Sequence, residues 1–284
     1  MELHRKLFKL HLPHQSMPLK KENLSIMRKA KLGNSIERTP TGIPGFDDLV
    51  QGGFPKNSSV LVAGSAGTGK TIFALQYLIN GIEKYDEKGL FVTFEQKADA
   101  IKKQAAQFGW DLEKYEKAGK LKIMAIKIDN ISDKTIHDIR IIVTRERIKR
   151  LVIDSLSTLV VNAPLQTRLS EIALKEMLTD KIILTQPIMG DYIVKRFIYN
   201  FIDNLRGLDC TTLMIGETGG ESGFITRDTI SEFVCDGVVV ITFESLGGNY
   251  SRSLMVRKMR QTKNNEDIHP VEISSKGIVV HKIE

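Results

Sequence analysis

Short runs of apolar residues alternate along the chain with longer segments whose apolar positions recur every three or four residues. The short runs are rich in β-branched residues and predict buried strands, and the longer segments predict helices that cover a sheet. The predicted strands are residues 59–63, 88–95, 121–128, 150–154 and 211–217. The predicted helices are residues 72–85, 98–108, 133–147 and 193–207. This alternation predicts an α/β fold with a mostly parallel sheet flanked by helices.

The last part of the chain has a different pattern, in which strand-like segments follow one another directly. These segments are residues 237–243, 253–260, 271–273 and 277–281. Strands joined by tight turns pair in antiparallel fashion. We therefore expect a C-terminal antiparallel β extension of the sheet.

The loop after the first predicted strand has the pattern G-x-x-x-x-G-K-[ST], and a predicted helix follows it. Glycines let the backbone turn tightly, and its N–H groups then surround a phosphate at the N-terminus of the helix. Lys70 would reach the β- and γ-phosphates, and the Thr71 hydroxyl would coordinate Mg²⁺. The predicted nucleotide-binding residues are Gly64, Ser65, Ala66, Gly67, Thr68, Gly69, Lys70 and Thr71. This P-loop predicts that ATP and Mg²⁺ bind here.

Three of the other predicted strands end in a carboxylate. Asp154 ends an apolar run, as the Walker B aspartate does, and would hold Mg²⁺ from the strand beside the P-loop strand. Glu95 and Glu217 are likewise the last residues of predicted strands. Ligands of parallel sheets bind outside the carboxyl ends of the strands. We therefore expect these three carboxylates and Lys70 to lie at one edge of the sheet.

The positive charge of the chain is concentrated at its N-terminus. Residues 1–36 contain eight lysine and arginine residues and two glutamates, so they carry +6 of the net charge of +7. We expect this segment to be a basic, flexible arm that could bind nucleic acid, and residues 37–284 to form the ATPase domain. The sequence has no 18-residue apolar run and no secretory signal, so we expect a cytoplasmic protein without a membrane partner.

Six short motifs follow one another along the domain. They are residues 38–47 (RTPTGIPGFD), 52–55 (GGFP) before the P-loop, 91–95 (FVTFE), 152–155 (VIDS), 211–217 (TTLMIGE) and 258–260 (KMR). In this order they resemble a KaiC domain, the clock-ATPase branch of the RecA/RadA superfamily, over residues 37–281. Because one P-loop is present, the chain is similar to the single-domain KaiC-like proteins of archaea. The resemblance implies a RecA-like P-loop core, with residues 163–190 as a possible insertion.

The resemblance also implies catalytic roles for four residues, Lys70, Glu95, Lys258 and Arg260. Glu95 matches the carboxylate that polarises the attacking water, although the second acid of the family is Gln96 here. Lys258 and Arg260 match a basic pair that reaches the γ-phosphate of the neighbouring subunit. The implied function is a Mg²⁺-dependent ATPase that hydrolyses ATP at the interfaces of a homo-oligomeric ring, with a hexamer expected.

Two other functions stay open at this point. One is a Ser/Thr kinase that acts on itself or on a partner. The kinase-active half of the clock protein has a Ser-Thr pair where this chain has Glu232 and Phe233, so the acceptor would have to be displaced. The nearby hydroxyls are Thr226, Thr229 and Ser231. The other function is a recombinase paralogue that binds single-stranded DNA, which the basic arm favours and the nearly neutral domain disfavours.

Overall fold

The residues with a described structure cover most of the predicted ATPase domain. The structure is a computed structural model and describes residues 36–131, 133–160, 186–219, 225–246 and 249–283. The predicted arm lies outside this part of the chain except for its last residue, and so does the possible insertion up to residue 185. Both stay predictions.

Strands and helices alternate through the described residues much as the sequence predicts. The strands are β1 (Arg38–Thr39), β2 (Phe54–Pro55), β3 (Ser59–Gly64), β4 (Gly89–Thr93), β5 (Leu121–Ala125), β6 (Arg150–Asp154), β7 (Thr211–Glu217), β8 (Gly237–Leu246), β9 (Asn249–Met259), β10 (Ile268–Ser274) and β11 (Gly277–Val280). The helices are α1 (Phe46–Leu49), α2 (Lys70–Tyr85), α3 (Ala98–Ala106), α4 (Leu112–Lys117), α5 (Asp133–Glu146), α6 (Gln186–Arg206) and α7 (Ser231–Val234).

Strands β3 to β11 form one nine-stranded sheet in the order β11-β10-β9-β8-β3-β7-β6-β4-β5. The six strands from β8 to β5 in this order are parallel. Strands β9, β10 and β11 add to β8 in antiparallel fashion. The predicted mostly parallel sheet with an antiparallel C-terminal extension is therefore confirmed. Strands β1 and β2 pair separately.

One expectation about strand order is wrong. Strand β7 lies between β3 and β6, so Asp154 is not on the strand beside the P-loop strand. The middle residues of β7 pair with β3 on one side and with β6 on the other. An apolar run shows that a strand is buried on both faces, but it does not show which strands are its neighbours.

In the described residues helix α6 runs from Gln186 to Arg206, so it includes seven residues before the start at residue 193 that the sequence pattern predicts. Pro187 lies within this added part of the helix. Helices α4 and α7 and strands β1 and β2 were not predicted, since elements this short show little periodicity.

The two faces of the sheet carry separate hydrophobic clusters. One contains the buried side of α2, including Phe73 and Leu78. The other contains the buried sides of α5 and α6, including Ile139 and Phe201. Because helices cover both faces, a ligand has access to the central strands mainly at their ends.

Two further observations concern the predicted location of the protein. No helix in the described part of the chain is both long and apolar enough to span a bilayer. Cys210 and Cys235 are buried free thiols. The cytoplasmic location stays a prediction.

Candidate nucleotide-binding site

The P-loop connects the carboxyl end of β3 to the N-terminus of α2, as predicted. Gly69 precedes the helix with φ 105°, which only glycine adopts readily. A Cβ atom on Gly64 would lie 2.5 Å from the backbone oxygen of Ile241, so the close approach of β8 also requires glycine. The loop therefore presents backbone N–H groups at the N-terminus of a 16-residue helix, which is a favourable place for a phosphate.

The Lys70 side chain bends back over this loop. Its Nζ atom donates hydrogen bonds to the backbone oxygens of Gly64 (2.9 Å) and Ser65 (2.7 Å). Burial lowers the pKa of Lys70, and the charges of Glu217, Asp154 and Glu95 act in the opposite direction. The ammonium group is thus placed beside the phosphate cradle, among carboxylates that favour its charged form.

Thr71 and Asp154 meet at the start of α2. Thr71 Oγ1 donates a hydrogen bond of 3.1 Å to Asp154 Oδ2. Asp154 is only 1% exposed. This burial, together with the charge of Glu95, raises the pKa of Asp154 to about 7, although Thr71 and Lys70 oppose the rise. A hydroxyl oxygen and a carboxylate oxygen are ligands that Mg²⁺ prefers, so the residues present fit the predicted cation.

Glu95 lies at the same edge of the sheet, just after β4. Its Oε1 atom accepts hydrogen bonds from Ser155 Oγ and from Thr158 Oγ1, the second at 2.5 Å. The Glu95 and Gln96 N–H groups donate to Thr93 Oγ1 at 3.3 and 3.1 Å. Glu95 is exposed to solvent. Contacts from β4 and from the segment after β6 therefore hold an accessible carboxylate beside the P-loop.

Glu217 completes the group at this edge. It ends β7 and is paired in register with Gly64. Its Oε2 atom forms an ion pair of 3.0 Å with Arg227, and its backbone N–H donates to Ser157 Oγ at 2.8 Å. The structure thus brings the three predicted carboxylates and Lys70 together, while the chemical roles given to them stay predictions.

Lys258 and Arg260 lie at the opposite end of the strands. Lys258 is paired in register with Val238 near the start of β8. Arg260 forms an ion pair of 3.0 Å with Asp236, which is hydrogen-bonded to Ser59 at the start of β3. Ser59 and Gly64 are the two ends of β3, so they are roughly 16 Å apart at about 3.3 Å per residue. The basic pair therefore does not contact the P-loop of its own subunit.

The three hydroxyls that are possible displaced phosphate acceptors lie in the turn before α7 and in its first residue. Thr226 and Ser231 are buried, and both hydroxyls donate to Asp228, at 3.2 and 2.8 Å. Thr229 is partly buried and has φ 58°. The Glu232 carboxylate accepts a hydrogen bond from the Thr226 N–H. A kinase would have to open this turn to reach Thr226 or Ser231, which counts against the kinase alternative.

Two residues beside the P-loop are not among the site residues predicted from the sequence. The guanidinium of Arg252 lies over the ring of Phe243, with its carbon 4.7 Å from the ring centroid. Arg252 also donates to the backbone oxygen of Gly67 at 3.3 Å. Phe243 is on β8 and Arg252 on β9, and neither belongs to a recognisable motif. Only the pairing of these strands places an aromatic ring and a cation at the mouth of the loop.

Comparisons with known proteins identify relatives of this chain. A sequence model of a family described as "ATPase: KaiC" matches residues 39–284. The circadian clock oscillator protein KaiC of Prochlorococcus marinus subsp. pastoris is 33% identical over 267 residues, which cover 89% of this chain and 48% of that protein. The chain thus spans about half the length of this clock relative.

Shorter relatives match over almost their whole length. A UPF0273 protein of Thermotoga maritima is 32% identical over 266 residues, which cover 88% of this chain and 98% of that protein. The crystal structure of a KaiC-like protein from Pyrococcus horikoshii OT3 superimposes with a TM-score of 0.69 at 33% identity. The superimposed region covers 87% of this chain and 100% of the chain in that structure.

Proposed function

This chain belongs to the KaiC ATPase family, and we propose on that premise that it hydrolyses ATP with Mg²⁺ at the interfaces between subunits of a ring. The observation that carries the proposal is the separation of the two halves of the site. The P-loop lies at the carboxyl end of β3, and the basic pair is anchored at the other end. A ring of copies, with a hexamer as the expected form, would let each basic pair serve the P-loop of the next subunit.

Nucleotide binding is assigned to the P-loop and its surroundings. The loop N–H groups would hold the β-phosphate, and Lys70 would leave its backbone acceptors to reach the phosphate oxygens. Thr71 and Asp154 would hold Mg²⁺, which supplies charge neutralisation on the phosphates when it is bound. Phe243 and Arg252 would contact the nucleoside, since they border the loop on the side of the antiparallel strands.

Hydrolysis is assigned to Glu95. Ser155 and Thr158 occupy its Oε1 atom, so Oε2 would accept a hydrogen bond from the attacking water. This hydrogen bond would orient the water. The Glu95 carboxylate would then take up the proton of the water as the phosphoryl group is transferred to the water oxygen. Gln96 cannot share this role, because an amide is not a base at neutral pH.

Lys258 and Arg260 would stabilise the charge on the γ-phosphoryl group of the neighbouring subunit. An arginine supplied in trans contributes about 10³- to 10⁵-fold to such reactions. A lone subunit would lack this contribution, so turnover should rise with assembly. A monomer with full turnover would contradict the ring mechanism.

The experiment follows the γ-phosphate of labelled ATP. We expect release of the label as free phosphate by the native protein, and ATP binding without release by Glu95→Gln. Label that stays covalently attached to the native protein after denaturation would show a kinase and contradict the proposal. Single-stranded DNA binding by residues 1–36 stays a separate hypothesis, which loss of binding on deletion of these residues would support.

Mixing variants tests the position of the arginine. Lys70→Ala removes the phosphate contact and Arg260→Ala removes the trans cation, so each variant alone should be slow. A mixed ring contains sites with the P-loop of an Arg260→Ala subunit and the arginine of a Lys70→Ala subunit. Recovery of turnover on mixing is the expected result, and no recovery would contradict catalysis between subunits.

A further inference from the structure

Asp236, between α7 and β8, joins Arg260 to the P-loop strand of its own subunit. Its Oδ2 atom accepts hydrogen bonds from the backbone N–H and from the hydroxyl of Ser59, both at 2.9 Å. Its Oδ1 atom accepts a hydrogen bond of 3.0 Å from Arg260 Nη1. Arg206 lies farther away, with its Nη2 atom 4.0 Å from Oδ1. Each carboxylate oxygen therefore has its own partner, and the plane of the carboxylate is fixed.

The surroundings of Asp236 favour its ionised form. Burial raises the pKa of Asp236, but the hydrogen bonds from Ser59 and the cations Arg206 and Arg260 outweigh it, and the pKa lies below its usual value. The side chain of Asp236 is 21% exposed, against 49% for Arg260. A negative charge is thus held in place under a more exposed guanidinium.

Only part of the Arg260 guanidinium is used by these contacts. Nη1 donates to Asp236 and Nη2 donates to the backbone oxygen of Phe233 at 3.3 Å. The backbone N–H of Arg260 is also bound to the Asp236 backbone oxygen, at 2.8 Å. A guanidinium has five N–H donors in a planar fork, so donors remain for a phosphate on a second copy of the chain.

We propose that Asp236 is the positioning residue for Arg260, and that it holds the guanidinium in the orientation in which the next subunit uses it. This inference rests on the proposed function. An unrestrained arginine side chain loses rotamer entropy when it binds. Asp236 removes part of that loss before assembly. It acts through Arg260 and touches no reacting atom.

The neighbouring lysine has a different anchor, which makes Asp236 specific to the arginine. Lys258 Nζ donates to the backbone oxygens of Glu232 (3.2 Å), Phe233 (3.1 Å) and Cys235 (2.7 Å). These oxygens lie around the C-terminus of α7, where a cation is favoured. Loss of the Asp236 carboxylate would therefore leave the anchor of Lys258 in place.

The variant Asp236→Asn tests the proposal with little change of shape. The amide oxygen can still accept from Ser59, but the amide N–H₂ then faces the guanidinium and repels it. We expect kcat to fall at least fivefold, towards the value of Arg260→Ala, with ATP affinity unchanged. In an Arg260→Ala background the same change should have no further effect.

A matched control is Asp86→Asn, which removes an exposed aspartate–lysine ion pair of 2.7 Å with Lys120. It should keep the native kcat. Ser59→Ala is a milder second variant, since it removes one of the bonds that orient the Asp236 carboxylate. It should lower kcat two- to threefold, and only while Arg260 is present.

Mixed rings separate positioning of the arginine from a structural effect on the P-loop strand. In the first mixture, Asp236→Asn is added to the Lys70→Ala subunits, which supply the arginine to Arg260→Ala subunits. In the second mixture, Asp236→Asn is added to the Arg260→Ala subunits, which supply the P-loop. We expect turnover to fall in the first mixture and to stay unchanged in the second.

Equal losses in both mixtures, or no loss in the first, would overturn the positioning role while the trans mechanism stands. Native turnover of Arg260→Ala alone would instead overturn the proposed function, and the role of Asp236 with it. The two failures are therefore distinguishable in one set of measurements.

Discussion

Thr71 Oγ1 and Asp154 Oδ2 are hydrogen-bonded at 3.1 Å, although β7 separates the P-loop strand β3 from β6, which ends at Asp154. The contact is possible because β3, β7 and β6 are parallel, so their carboxyl ends lie at the same edge of the sheet. Two residues 83 positions apart thus form one oxygen-rich site.

This contact predicts the effect of Asp154→Asn on the Mg²⁺ dependence of ATP binding. An amide lacks the negative charge that holds a divalent cation or its water ligands. We expect the factor by which Mg²⁺ increases the affinity for ATP to be about 10- to 100-fold smaller in the variant than in the native protein. Titration of a fluorescent ATP analogue with and without Mg²⁺ measures this change. Asp48→Asn, which affects an exposed ion pair with Lys282, is the control, and an equal Mg²⁺ effect in all three proteins would contradict the prediction.

The two hydroxyls on Glu95 predict a second set of variants. Ser155→Ala with Thr158→Ala removes both donors to Oε1, so the carboxylate is less well oriented for the attacking water. We expect about a tenfold loss of kcat in the double variant, because hydrogen bonds to a charged group contribute about 1.5–3 kcal/mol each and part is regained from water.

Single-turnover hydrolysis and ATP affinity measure this effect separately. Affinity should stay native, since neither hydroxyl belongs to the P-loop. Thr158→Ser keeps a hydroxyl at the same place and should retain more activity than Thr158→Ala. Equal rates for these two variants would show that the Thr158 hydroxyl has no part in orienting Glu95.

The cation over Phe243 predicts how the nucleoside is recognised. Arg252→Ala would leave the ring and the Gly67 carbonyl without this partner. We expect ATP to bind about tenfold more weakly, and inorganic tripolyphosphate to bind within twofold of native, because cation–π and stacking contacts contribute about 1–2 kcal/mol. Competition titrations with both ligands make the comparison. Arg257→Ala, an exposed arginine on the same strand, is the control, and an equal loss for both ligands would assign Arg252 to the phosphates.

The ionised state of Asp236 predicts a pH dependence of stability. Its pKa in the folded protein is lower than the value of about 3.9 in an unfolded chain, so folding favours the ionised form. The resulting stabilisation is present at neutral pH and is lost as the pH falls below about 4. Urea unfolding at pH 7 and pH 3 should therefore show that Asp236→Asn destabilises the protein more at pH 7. The same difference at both pH values would contradict this assignment.

The parts of the protein that could be predicted are those that consecutive residues determine. The P-loop from Gly64 to Thr71 is recognisable because the glycines, the lysine and the flanking strand and helix adjoin one another in the chain. The fold class follows from the alternation of buried runs and helical segments. The family follows from the order of six short motifs, and the comparisons confirm it.

Contacts between distant segments could not be predicted in this way. Three features depend on which strands pair and in what register. They are the position of β7 between β3 and β6, the hydrogen bonds of hydroxyl groups to Glu95, and the contact of Arg252 with Gly67. An apolar run indicates that a strand is buried, but packing over the whole sheet determines which strands are its neighbours. The sequence alone therefore determined the chemistry of the phosphate loop and the class of fold. Only the tertiary structure decided that Arg260 is anchored at the far end of the P-loop strand, because that distance depends on the pairing of β3, β8 and β9.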